Sequence, residues 1–220
     1  MQLENRIARG LAVESPSVAP LSVIAGGLFV LYALSKGYLT TVIVAEGWRF
    51  AGTSPEMTAL LVHVLEGLLL EVMALGLASF HVRSGPRGRL ASTGITIALA
   101  GFGLTIISHI VEHIAGIEPA PILGSGEVVW LYYASWLVLY VGLATYGVAL
   151  LVEGNAAGRM PYLFVSLLPL VVAVGVVVVV LGVFTLAGTF RVALGLTWIL
   201  VGPWFRSGRL LHPGPRGQPR

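Results

Sequence analysis

The chain has 220 residues, of which 56% are hydrophobic and only 10% charged. A soluble domain carries roughly a quarter charged residues, and one of this length cannot hide so much apolar surface, because much of a small domain's surface stays wet. With no cysteine, disulfides, thiolate ligands and cysteine nucleophiles are excluded. The net charge of +3 is read as a topology signal and not as a nucleic-acid footprint, since the bases sit in short segments between apolar runs.

A membrane-crossing helix needs about 20 mostly apolar residues. In chain order, such runs predict spans over residues 18–36, 58–82, 91–114, 128–152, 160–183 and 186–205. The first could continue past Lys36 toward Ala45, and the second is interrupted by Glu66 and Glu71. From Met160 to Phe190 no charge occurs, too long a run for one untilted span and too short for two. A break near residues 183–186 resolves it, with Arg191 one turn inside the last helix and able to snorkel. A five-span chain with an interfacial last segment is the alternative. The expected fold class is therefore all-α, a polytopic membrane helix bundle of about six transmembrane helices. It forms a single domain over 18–205, between an N-terminal segment 1–17 and a disordered basic tail 206–220.

Orientation follows from lysine and arginine. Ten arginines (Arg6, Arg9, Arg83, Arg87, Arg89, Arg159, Arg206, Arg209, Arg216, Arg220) fall on one side of a six-span arrangement, and Lys36, Arg49 and Arg191 on the other. The positive-inside rule then puts both termini in the cytoplasm and the protein in the cell membrane. Arg6 and Arg9 before an apolar stretch ending Ala33-Leu34-Ser35 also permit a cleaved signal peptide, although that stretch is longer than a typical h-region. Cleavage would leave five spans in the same orientation.

Polar chemistry concentrates in spans two and three. Ionisable residues within a bilayer are costly and mark protein interiors or water-filled cavities. A short turn near residue 86 joins the two spans, so they should pack antiparallel as a helical hairpin. Counted outward from that turn, His63, Glu66, His109, Glu112 and His113 fall within roughly 9 Å of one another in depth. His109, Glu112 and His113 share one side of helix three by their i, i+3, i+4 spacing, and His63 and Glu66 share one side of helix two. If those sides face each other, three imidazoles and two carboxylates meet in the outer half of the membrane. Such groups are ordinary ligands for a divalent metal such as zinc or iron. The expected assignment is His63, Glu66, His109 and His113 as ligands, with Glu112 as catalytic base or further ligand.

The His109-x-x-Glu112-His113 spacing also matches the inverted zincin pattern, but that motif is read in a different fold with a further distal ligand, and no family is assigned. Haem b held by His63 and His109 or His113 is a second use of the same helices, with the glutamates unwelcome at a porphyrin face. A metal-free, proton-coupled carrier of a small solute and an accessory subunit of a membrane complex are the other function classes.

Glu71 lies near the middle of span two, where an ionised carboxylate is least tolerable. It is read either as a proton-relay carboxylate below the cluster or as a protonated acid making one interhelical hydrogen bond. Tyr132, Trp136 and Tyr140 form an aromatic stripe at i, i+4, i+8 on span four, a packing face or the wall of a site for a lipid-like or quinone-like small molecule. The expected partners are the lipid bilayer and such a ligand, and not nucleic acid.

Overall fold

The computed structural model describes residues 18–46, 54–84, 88–115, 127–152, 160–180 and 186–207. They form six α-helices and, among the described residues, no strand. In chain order these are α1 (Val18–Glu46), α2 (Pro55–Ser84), α3 (Arg89–Ala115), α4 (Glu127–Val152), α5 (Met160–Val180) and α6 (Leu186–Ser207). The expected N-terminal segment 1–17 and most of the basic tail lie outside the described residues. Four helices contain segments long and apolar enough to cross a membrane: Val18–Ser35, Leu60–Arg83, Arg89–Ile110 and Trp130–Val152. A shorter apolar segment, Met160–Val174, occupies α5. The protein is thus an all-helical bundle of membrane character.

Local chemistry explains the helix starts and the many hydroxyls inside apolar helices. Ser54 precedes Pro55 and its Oγ accepts the Met57 backbone N–H at 3.2 Å, an N-cap followed by proline at the first helical position. Within the bundle, the hydroxyls of Ser22, Thr105, Ser135 and Thr197 donate to carbonyls three or four residues back in their own helices. In a medium without water this satisfies the hydroxyl without a partner helix.

The helices close into a ring. α1 packs between α2 and α6, α3 between α2 and α4, and α5 between α4 and α6. Small residues set the two tightest seams. Gly94, Ala98 and Gly101 on α3 run antiparallel to Tyr146, Gly142 and Leu139 on α4, and a Cβ added at Gly142 or Gly101 would collide with the facing backbone. On the other side, Gly26 of α1 meets Gly195 and Trp198 of α6. Without a hydrophobic drive between helices in lipid, such close approach is how transmembrane helices gain packing energy. The interior fills with large side chains, among them Phe29, Phe102, Trp136, Tyr140, Trp198 and Phe205. Leucines and valines such as Leu28, Leu68, Leu137 and Val176 lie on the outer surface, the inverse of a soluble protein and the arrangement lipid demands.

Because neighbouring helices run antiparallel, the C-terminal ends of α1 and α3 lie at the same end of the ring as the N-terminal ends of α2, α4 and α6. All the groups of the site described next belong to that end. At the opposite end His81 Nδ1 lies 3.2 Å from Tyr146 Oη, and Arg83 donates to the backbone carbonyls of Ser79 and Phe205.

Candidate metal centre

Glu66 is the hub. On α2 it follows His63 by one turn and is completely buried, on the side of the helix that also carries Leu70, Met73 and Leu77 into the core. Its carboxylate receives three helices. The Tyr32 hydroxyl from α1 donates to Oε2 at 2.5 Å. His109 Nε2 from α3 lies 2.9 Å from Oε1. Arg191 from α6 donates through Nε to Oε1 and through Nη2 to Oε2, the latter at 3.4 Å. A two-toothed arginine–carboxylate pair is among the stronger charge-assisted arrangements, and it fixes both oxygens of Glu66 in orientation.

His63 stands beside this hub with its ring centroid 6.1 Å from that of His109. His63, Glu66 and His109 each present a ligand atom, and the three atoms lie within 4.8 Å of one another. Two imidazoles and a carboxylate at that separation could hold a metal ion, with at least one coordination position left open. Metal–ligand bonds near 2.1 Å put tetrahedral ligand atoms about 3.4 Å apart. Closing on an ion would therefore open the His109–Glu66 contact by roughly 0.5 Å and draw the longest separation inward.

An aromatic wall backs the group. The Tyr132 ring meets His109 edge-on at 5.3 Å and lies 5.6 Å from the Arg191 guanidinium carbon, a cation–π contact. From Tyr132 the stripe of α4 continues inward through Trp136, stacked on Phe190 at 5.8 Å, to Tyr140, whose hydroxyl donates to the Phe190 carbonyl at 2.6 Å. The stripe faces the interior and begins at the site. Tyr140 and the aromatic stack on Phe190 thereby hold the first turn of α6, and with it Arg191.

The structure brings together three of the five residues of the expected cluster: His63, Glu66 and His109. Glu112 and His113 follow His109 on α3, but their side chains lie outside the described residues. Glu71 does not join the group. Five residues beyond Glu66, it is turned about 140° around the helix and is exposed on the outward face. Arg191 overturns a sequence expectation. It does not snorkel to the surface but is 3% exposed and anchors Glu66. Sequence reasoning also missed Tyr32. The signal for Arg191 was available, because it is the single charged residue between Met160 and Phe205, and a lone base inside lipid calls for an acid.

Comparison with family models, with curated proteins and with solved structures finds no match to this chain.

Proposed function

We propose that this chain is an integral membrane protein that binds a first-row divalent cation, zinc or iron, through His63, Glu66 and His109, and uses the open position for hydrolytic or redox chemistry. The supporting observation is the convergence of three ligand atoms from two helices within 4.8 Å. Tyr32 and Arg191 then act behind the ligands, orienting the Glu66 carboxylate as outer-shell partners do in metal sites. Charge counting constrains the remaining position. A divalent ion beside Glu66 and Arg191 leaves the centre two units positive in an apolar medium, so the open position takes an anion: hydroxide, an anionic substrate oxygen, or the carboxylate of Glu112. His113, one turn beyond His109 on the same side of α3, is the further ligand in this reading, and Glu112 the base when it is not a ligand.

One observation favours a metal-free reading, a proton-coupled carrier or a subunit of a membrane complex: Arg191 already balances the charge of Glu66. Metal analysis of the purified protein separates the two. Stoichiometric zinc or iron is expected, falling by more than about 100-fold in affinity in His109→Ala and His63→Ala, a larger loss than outer-shell changes give. Wild-type protein that takes up no zinc at micromolar concentration sinks the metal reading in favour of the metal-free one, and a Soret band would redirect it to haem b.

The six-span arrangement in the cell membrane, with both ends cytoplasmic, belongs to the same proposal and rests on the distribution of arginine. The cysteine-free sequence makes its test direct. Single cysteines at Gly88 and Gly217 should resist an impermeant thiol reagent in intact cells, and cysteines at Ser54 and Ser125 should react. The reverse pattern would place the metal centre in the cytoplasmic half.

A further inference from the structure

Glu71 is the twelfth residue of the Leu60–Arg83 segment, roughly 17 Å from either end. It is exposed on the outward face of α2, and among the described residues it has no hydrogen bond or ion pair. The other exposed charges among the described residues, Arg83 and Arg89, sit at helix ends. Lipid is a poor neighbour for a carboxyl group at this depth, so the outward face of α2 is incompletely covered by the isolated chain.

The residues around Glu71 carry a second pattern. Leu61, Val64, Leu68, Glu71, Leu75 and Ala78 recur at alternate intervals of three and four, and all are exposed or half-buried. That is the spacing of a left-handed helix-packing seam, and it lies opposite the buried face that carries Glu66. A single polar residue in an otherwise apolar seam is the feature that fixes register and copy number in paired helices.

We propose that a second copy of this chain packs along this seam, α2 against α2, with the two Glu71 side chains meeting near a two-fold axis. Copies of one chain insert with the same topology, so their Glu71 groups lie at the same depth. A carboxylic acid offers one donor and one acceptor, which makes it complementary to itself. A two-fold interface requires this self-complementarity of any residue near its axis. The pairing satisfies a polar group that the lipid face of α2 would otherwise leave bare, and it is independent of whether the centre at Glu66 binds metal.

The test uses the full-length chain in lipid bilayers at high dilution, with single cysteines on the cysteine-free background. Leu68→Cys and Leu75→Cys, on the seam, should form disulfide-linked dimers on oxidation. Leu137→Cys on α4 and Val172→Cys on α5, both exposed, should not. Adding Glu71→Leu to Leu68→Cys should weaken dimerisation about tenfold, the size of one interhelical hydrogen bond in lipid, with helicity and elution of the monomer unchanged. Glu71→Gln, which keeps a donor and an acceptor, should stay near the wild-type level. Equal cross-linking on α2, α4 and α5 would overturn the proposal. So would dimers indifferent to Glu71→Leu, or a chain that stays monomeric because a different protein or lipid covers the seam.

Discussion

Replacing Arg191 with methionine should cost about 3–5 kcal/mol of stability, the range found when one partner of a buried ion pair is removed. The size follows from what is left behind. Glu66 is fully buried and would keep Tyr32 and His109 beside it but lose the guanidinium that grips both of its oxygens. Glu66→Gln should be about as damaging, because it strands the guanidinium instead. The double variant Glu66→Gln/Arg191→Met removes both charges and should recover most of the loss, since two apolar or neutral groups of similar volume are often as stable as the pair they replace. Reversible unfolding in mixed micelles measures all three, and additive losses in the double variant would show that the two residues are not coupled. The same series bears on the metal. A divalent cation could take over the neutralisation of Glu66, so zinc should rescue Arg191→Met by about 2.7 kcal/mol at a hundredfold excess over its dissociation constant. No rescue would favour the metal-free reading.

Gly142→Val should be the most damaging single change away from the centre, at about 2–3 kcal/mol. A Cβ at Gly142 meets the backbone of Ile97 and Ala98 and not the yielding tip of a side chain. The only relief is to push α3 and α4 apart along a seam that also carries the Gly94 approach to Tyr146, where a Cβ would lie 2.5 Å from the backbone nitrogen. Towards the site the seam continues into the Thr105–Ser135 hydroxyl contact at 3.2 Å, one turn before His109, so separation should also loosen the metal centre. Gly103→Ala is the control. A Cβ there meets nothing within 4 Å, and the change should be neutral or slightly stabilising through helix propensity. Comparable losses for the two variants would show that close backbone approach is not what holds α3 to α4.

The helices were legible in the sequence because lipid demands long apolar runs, and such runs are conspicuous. Part of the centre was legible too, because i, i+3 spacing puts His63 and Glu66 on one side of α2 whatever the surroundings. The facing of that side was not. In a soluble helix, polar residues mark the outside and an apolar stripe the inside. On α2 both sides are apolar, so Glu66, buried at the hub, and Glu71, exposed on the opposite side, look alike from their neighbours. Only tertiary contacts distinguish them. Arg191 was misread for the same reason. Its place near the start of α6 suits snorkelling and inward pairing equally, and the register of α6 is set against α1 by the Gly26–Gly195 approach and against α2 by the Trp198 indole donating to the Met73 carbonyl at 3.1 Å, neither of which a single-helix pattern contains.

The closure of the ring by α6 has a consequence for how the chain is made. Arg191 lies 125 residues after Glu66, and at roughly 5–20 residues per second the ribosome needs about 6–25 s to synthesise that interval. During it α2 exists with its counter-cation not yet translated, and Tyr32 of α1 is the earliest available partner of Glu66. The last helix to emerge carries both the arginine that pairs with Glu66 and the Gly195 face that packs on α1. A nascent chain truncated before residue 191 would therefore leave the Glu66 carboxyl without its arginine and the ring open between α1 and α5.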